Sequence, residues 1–290
     1  MSNLWSTQIQ RIGTLYESRA LRFHDLFRES YVQAFGIPET ASILEIGCGP
    51  GALCEALSRW YPAATVTGID RDSGFIDFAA AKSPCIRYLE GDATALPFSD
   101  GSFDVTISNT VQEHIPPEGF YGEQHRVLKE GGICLVLSAR RGYRISAPCI
   151  EEMTELEREV CEAVAPYDKA LFKSAGIGAY ATDERGIPAA MESYGFGQVS
   201  TAYITVNLTP DAPSYDRKTA HAIINAERRG ELDCLDSIPV IAPGLIPQAD
   251  LDKLRLIKNA KYDERISLYD RGVHQWDCMV SVIQVTRGVK

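Results

Sequence analysis

The sequence lacks an apolar run of the roughly 20 residues that a bilayer-spanning helix needs. Its Met-Ser-Asn start has neither the basic region nor the apolar core of a signal peptide. Both absences predict a cytoplasmic protein with no membrane partner. Cations are in the minority: 29 Lys and Arg against 39 Asp and Glu give a formal net charge of -10. A sequence-independent grip on nucleic acid needs clustered Lys and Arg, so that class of partner is disfavoured. None of the eight cysteines forms a C-x-x-C pair, which excludes zinc-ribbon and thioredoxin-type spacing. They are expected to be buried, reduced thiols with no metal. There is no internal repeat and no low-complexity tract.

What is present centres on Ile43-Leu44-Glu45-Ile46-Gly47-Cys48-Gly49-Pro50-Gly51-Ala52-Leu53. Three apolar residues and one acid read as the end of a buried strand. Three alternate glycines follow, and then Ala52 to Trp60 reads as a helix. A strand that turns through glycines into a helix is a nucleotide-binding device. Gly accepts positive φ and lets a ligand approach the backbone. The helix N-terminus offers unpaired N–H groups and partial positive charge.

The same edge gathers further candidates. Thr65 to Ile69 reads as a second strand ending in Asp70, about 20 residues beyond the glycine loop, where a carboxylate can bond ribose hydroxyls. Arg71 follows and can flank a base. Ile86 to Glu90 is a third strand, running into Gly91-Asp92-Ala93. Asp92 reads either as an acceptor for an adenine amino group or as an ordinary turn aspartate. Phe103 to Ser108 is the fourth strand, followed by Asn109 to His114. Glu118 to Lys129 reads as a helix ended by Gly131-Gly132, and Ile133 to Leu137 is a fifth, fully buried strand. Alternating strands and helices predict a doubly wound parallel sheet with its ligand beyond the strands' carboxyl ends.

Ahead of this core, residues 8 to 35 read as helical, with Tyr16, Arg19 and Arg22 along one side. They read either as amphipathic surface or as a lid whose Arg or Tyr meets a ligand carboxylate. Beyond it, residues 138 to 144 read as a basic loop, Glu151 to Ala163 and Pro188 to Tyr194 as helices, and Val199 to Val206 and Trp276 to Val285 as strands. Roughly 70 residues separate the last two strands, far beyond a hairpin loop. Tyr215 to Arg229 and Ala249 to Tyr269 read as helices there, broken apart by Pro239, Pro243 and Pro247.

Together, Leu-Glu-Ile-Gly-Cys-Gly-Pro-Gly (44–51), Gly-Ile-Asp (68–70), Gly-Asp-Ala-x-x-Leu-Pro-Phe (91–98), Phe-Asp-Val (103–105) and Leu-Lys-Glu-Gly-Gly (128–132) resemble a class I S-adenosylmethionine-dependent methyltransferase of the small-molecule, type 11-like kind. The resemblance covers about residues 40 to 138. It implies an α/β Rossmann-like fold with a seven-stranded sheet whose last strand is antiparallel. It divides a single domain, 1–290, into an N-terminal helical lid (1–39), a cofactor-binding core (40–138) and a substrate-side half (139–290) with a helical insertion at about 210–270. It implies S-adenosyl-L-methionine as cofactor and S-adenosyl-L-homocysteine as product. Gly47, Cys48, Gly49 and Gly51 would lie against the methionine and ribose parts, and Glu45 would support the loop or the ammonium. Asp70 would hold both ribose hydroxyls, with Arg71 near the adenine. Asp92 and Ala93 would read the adenine, Asn109 would offer a carbonyl to the ammonium, and Tyr16 and Arg19 would close over the methionine end. His114 reads either as a general base or as a cofactor contact. The acceptor would be a small molecule, and the protein a monomer or homodimer. Two other readings stay open: a non-catalytic protein that senses the cofactor or its product, and an NAD-dependent oxidoreductase. The loop argues against the second, since Ala52 stands where G-x-G-x-x-G has its last glycine.

Overall fold

Apolar runs become strands and amphipathic stretches become helices in a computed structural model that describes residues 5–9, 11–148 and 153–290. The side chains of Gln8, Arg140, Arg141, Tyr143 and Arg144 lie outside that description. A π-helical turn, Trp5–Ile9, leads into α1 (Ile12–Arg22) and α2 (Arg28–Phe35). The continuous helix expected over 8–35 is therefore interrupted. His24 is extended and its Nδ1 accepts the Leu26 N–H, giving the backbone a local alternative to the helix. Asp25 then accepts from the Trp60 indole at 2.8 Å, which holds the break in place.

The core alternates as expected: β1 (Ser42–Ile46), α3 (Ala52–Trp60), β2 (Thr65–Asp70), α4 (Ser73–Lys82), β3 (Arg87–Glu90), β4 (Phe103–Asn109), α5 (Pro117–Val127) and β5 (Leu128–Ala147). After it come α6 (Glu155–Ser174), α7 (Gly186–Ser193), β6 (Gly197–Leu208), α8 (Arg217–Ile241), α9 (Gln248–Asp270) and β7 (Cys278–Val289). The seven strands form one sheet in the order β3-β2-β1-β4-β5-β7-β6. β1 lies parallel between β2 and β4, with Ile46 opposite Ile69 and Ser108. β7 runs against β5: Gly131 N donates to Lys290 O and Lys290 N to Gly132 O. The strand order reverses between β1 and β4, and ligands of such sheets sit beyond the strand ends there.

Three local expectations are corrected. Gly131 and Gly132 do not end a helix. α5 stops at Val127, because Leu128 is already extended, and the glycines lie inside β5. Their flexibility serves a bulge instead: Phe103 pairs with Leu128 but Val105 with Ile133. The segment read as a basic loop belongs to β5 in its backbone; its arginine side chains lie outside the described residues, as do residues 149–152. Pro239 does not separate two helices, since α8 runs through it to Ile241.

By packing, the chain groups into two compact units: residues 1–143, 178–206 and 281–290, and residues 144–177 and 207–280. The first holds the core of Leu44, Ile46, Ile69, Phe120, Leu128 and Val136. In the second, Val160 and Val164 of α6, Leu235 and Ile238 of α8, and Leu251 and Leu254 of α9 make a small helical core.

Candidate functional site

Gly47, Gly49 and Gly51 all have positive φ (68°, 52° and 88°), so the loop uses the freedom only glycine supplies without strain. At Gly47 a Cβ would lie 2.5 Å from Val111 Cγ2, so the loop also needs the missing side chain to pack against the segment after β4. Cys48 N and Gly47 N both donate to Ile69 O, at 3.0 and 2.8 Å, which ties the loop to the end of β2. The Cys48 thiol is buried, donates weakly to Gly49 O, and is pushed up to about 11 by that burial. It contributes packing, not nucleophilicity.

Asp70 closes the loop from the other side. Its Oδ2 accepts the Gly49 N–H at 2.8 Å and its Oδ1 accepts the Asp72 N–H at 2.9 Å. Burial raises the carboxyl above its ordinary value, against the pull of those two amides. Each oxygen takes one backbone N–H and keeps a lone pair for a further donor. Arg71, beside it, is exposed. Glu45 is 2% exposed, and burial pushes its carboxyl up to about 8 while contact with Cys54 on α3 pulls the other way. Its Oε2 has no hydrogen-bond partner among the described residues.

Beyond β4, Asn109 is half-buried and pairs with Leu137 on β5. Thr110 follows with φ 56°, a strained conformation for a β-branched residue, costing on the order of 1–3 kcal/mol. Thr110 N donates to Leu137 O at 2.8 Å, and its Oγ1 accepts from Arg19 Nη2 at 2.9 Å. Burial pushes the Arg19 guanidinium down to about 9, and Arg22 adds repulsion, while the Glu113 and Glu45 charges pull it back up. Tyr16, one turn earlier on α1, turns elsewhere. Its hydroxyl donates to Glu55 Oε2 at 2.6 Å and its ring meets Phe78 of α4. The structure thus brings Arg19, and not Tyr16, to the segment after β4.

His114 Nδ1 accepts the Gly178 N–H at 2.9 Å. A nitrogen that accepts carries no hydrogen, so the neutral ring bears its proton on Nε2. The Trp5 ring stands edge-on to it at 4.9 Å. Ser6 donates through both N and Oγ to the Asp72 carboxylate, at 2.9 and 2.7 Å. The turn Trp5–Ile9 therefore touches both the residues after β2 and the segment after β4. Neither Trp5 nor Ser6 is marked by any sequence pattern. Asp92 is exposed, and its Oδ1 accepts from both N and Oγ1 of Thr94, at 2.8 and 2.7 Å. Ala93 packs on the main core. Among the described residues no group of three or more His, Cys, Asp and Glu is placed to hold a metal ion, and no helix is long and apolar enough to cross a membrane.

Comparison with known proteins bears on the same stretch. A family profile described as a methyltransferase domain matches residues 44–136. A fatty-acid O-methyltransferase of Mycolicibacterium smegmatis is 37% identical over 111 residues, 37% of this chain and 40% of that protein. A demethylmenaquinone methyltransferase of Thermus thermophilus is 39% identical over 100 residues, 33% of this chain and 46% of that protein. This chain thus spans less than half the length of these curated relatives. Haemonchus contortus phosphoethanolamine N-methyltransferase 2, solved with phosphomonomethylethanolamine and S-adenosylhomocysteine, shares the fold at TM-score 0.53 and 17% identity, over 99% of this chain and 59% of that one. The wound sheet, the glycine loop joined to a strand-end acid and the profile match fall on one stretch: residues 44–136 are similar to a methyltransferase domain.

Proposed function

We propose that the chain binds S-adenosyl-L-methionine beyond the carboxyl ends of β1, β2 and β4 and transfers its methyl group to oxygen, nitrogen or carbon of a small-molecule acceptor, leaving S-adenosyl-L-homocysteine. The observation that carries this is the Asp70–Gly49 hydrogen bond. It makes the glycine loop and the acid one unit, with lone pairs on both carboxylate oxygens for the two hydroxyls of a ribose. Gly47, Cys48, Gly49 and Gly51 offer backbone to the methionine and ribose parts. The unpartnered Oε2 of buried Glu45 fits a cationic ligand nearby, since an approaching positive charge favours the ionised form. Asn109 offers its carbonyl to the ammonium, and Arg19, partly neutralised by its acidic neighbours, faces a ligand carboxylate. Asp92 and Ala93 take the adenine, with Arg71 at its rim.

The cofactor supplies a methyl group already activated by a positively charged sulfur, so alignment and exclusion of water matter more than a strong base. The His114 tautomer fits that demand: with Nδ1 engaged, the ring works as an Nε2–H donor that orients its surroundings. Relatives named for oxygen methylation of a fatty acid and for 24-C-methylation of a sterol both match over little more than 110 residues. The shared stretch therefore carries the donor half of the reaction, and the choice of acceptor belongs to the rest of the chain. The seven cysteines described are free thiols, but Cys85, Cys161 and Cys234 are exposed, which corrects the expectation of burial; the free thiols support a reducing, cytoplasmic setting.

The test is a labelled-methyl assay over a panel of metabolite acceptors, paired with calorimetry for S-adenosylhomocysteine. Binding together with transfer to some acceptor supports the reading. Tight binding with no transfer to any acceptor makes the chain a sensor, and uptake of a nicotinamide dinucleotide in place of S-adenosylhomocysteine overturns it.

A further inference from the structure

The stretch from Gly91 to Ser102 has no regular secondary structure, yet it carries Asp92 at the site's edge. Its own hydrogen bonds are local turns: Thr94 N and Oγ1 to Asp92 Oδ1, Ala95 N to Asp92 O, Phe98 N to Leu96 O, and Ser102 Oγ to Ser99 O. Longer-range hydrogen bonds to this stretch come from α5. Arg126 Nη1 donates to Phe98 O at 2.7 Å and to Asp100 Oδ1 at 2.8 Å. Its Nη2 donates to Leu96 O at 3.0 Å and to Glu123 Oε2 at 2.8 Å, and its Nε to Glu123 Oε1 at 2.7 Å. The five N–H donors of a guanidinium are all matched. Glu123 Oε2 in turn accepts the Leu96 N–H at 2.6 Å, so Leu96 is held at both its N–H and its carbonyl by one ion pair. Gly101 N donates to the Arg126 carbonyl at 3.1 Å and closes the far end.

A second contact reaches the other end of the loop. A Cβ on Gly119, two turns before Arg126, would lie 2.9 Å from Thr94 Cβ and Cγ2. Thr94 is the residue whose N and Oγ1 orient the Asp92 carboxylate. One face of α5 thus touches the Asp92 turn through Gly119 and grips residues 96–101 through Glu123 and Arg126.

We propose that Arg126 and Gly119 are positioning residues for the adenine end of the donor site: they hold the Asp92 loop where its carboxylate meets the exocyclic amino group. This rests on the donor-site reading given above and extends it to α5, which that reading does not use. Exposed ion pairs contribute little by themselves, but here the cation also bonds two main-chain carbonyls, and a planar fork is what reaches both together. Lysine has three donors on one nitrogen and cannot span that set.

The test compares the affinity of the full chain for S-adenosylhomocysteine and for S-inosylhomocysteine, which has a carbonyl in place of the amino group. Calorimetry gives the ratio. The wild type should prefer the adenine compound about tenfold or more, because a site built to bond an amino group rejects its absence. Arg126→Gln should cut that ratio several-fold, Arg126→Lys should recover only part of it, and Gly119→Ala should lower it with the Arg126 grip intact. A role in general stability alone would weaken both ligands equally, and that result, or an unchanged ratio in Arg126→Gln and Gly119→Ala, overturns the proposal. A wild type that binds both ligands equally also overturns it, while leaving the methyltransferase reading in place. A wild type that binds neither ends the donor-site reading itself. If Arg126→Gln does not fold, Gly119→Ala decides, since it adds one methyl at a helical position with ordinary φ.

Discussion

Each oxygen of Asp70 accepts one backbone N–H, from Gly49 and from Asp72, so the side chain shapes the loop before any ligand arrives. Asp70→Asn replaces one acceptor by a donor that faces an N–H. Affinity for S-adenosylhomocysteine should fall by about 1–3 kcal/mol, the cost of leaving buried partners unpaired, and calorimetry showing unchanged affinity would count against the ribose role. Glu45 makes a pH-dependent prediction. Its folded value, about 8, lies above the 4.5 ordinary for a glutamate, so the folded state holds a proton that the unfolded state has released between those values. Its contribution to stability is thus full below about pH 4.5 and is lost as pH rises toward 8. At about 1.4 kcal/mol for each tenfold change in proton affinity, the whole effect has a ceiling of about 4–5 kcal/mol. Glu45→Gln without ligand should therefore gain stability relative to wild type between pH 5 and 8; parallel melting curves across that range would refute it. The place of Asp70 was legible because a short β-branched strand ending in an acid needs no tertiary information. The partner of Tyr16 was not. Helical spacing says that Tyr16 and Arg19 share a side, but only packing sends one hydroxyl to Glu55 and the other side chain to Thr110. Trp5 and Ser6 act through long-range contacts, and a lone Ser or Trp carries no periodic signal.

Elements whose limits follow from local chemistry were readable, and those set by distant contacts were not. β1 and α3 match their expected ranges because an aliphatic run, a glycine turn and an amphipathic stretch each announce themselves. Gly131-Gly132 looked like a helix stop, but the reciprocal bonds with Lys290 draw the chain into β5 several residues earlier. Proline misled at Pro239: α8 continues through it, with Ile238 buried against the small core on its inner face. Helix α6 starts later than the acidic run suggested, at a capping box. Thr154 Oγ1 accepts the Glu157 N–H while the Glu157 carboxylate accepts the Thr154 N–H at 2.7 Å. A Ser or Thr followed three residues later by Glu is a readable start signal. Thr154→Ala removes one half of the box and should cost about 0.5–2 kcal/mol. Thr154→Ser keeps the hydroxyl that accepts the Glu157 N–H and should restore most of the loss. A urea midpoint that does not move in Thr154→Ala would mean that the cap is satisfied by water instead.

At the scale of the whole molecule, strand–helix alternation specified the wound sheet, and with it the edge where the candidate residues meet. The division into two compact units was not visible, because residues 144–177 and 207–280 are far apart in sequence and carry no motif. That second unit is organised around a charge. Arg265 of α9 is fully buried, donating to Asp277 at 2.8 Å through Nε and to Asp211 at 2.9 Å through Nη2. Asp211 Oδ2 also accepts the N–H groups of Gln275 and Trp276, both at 2.8 Å, so one triad joins the chain leaving β6 to the chain entering β7. Removing the cation leaves two buried carboxylates facing each other, a loss of about 3–5 kcal/mol for a broken buried pair. Asp277→Asn keeps an acceptor and should cost less. If the two units are separate cooperative blocks, Arg265→Met should strip amide-exchange protection from α8 and α9 while leaving β1, β2 and β4 protected. Protection lost together from both sets would show one cooperative block. Protection lost from neither would show that the triad adds nothing that apolar packing cannot replace, as happens when a buried ion network is exchanged for hydrophobic side chains of similar volume.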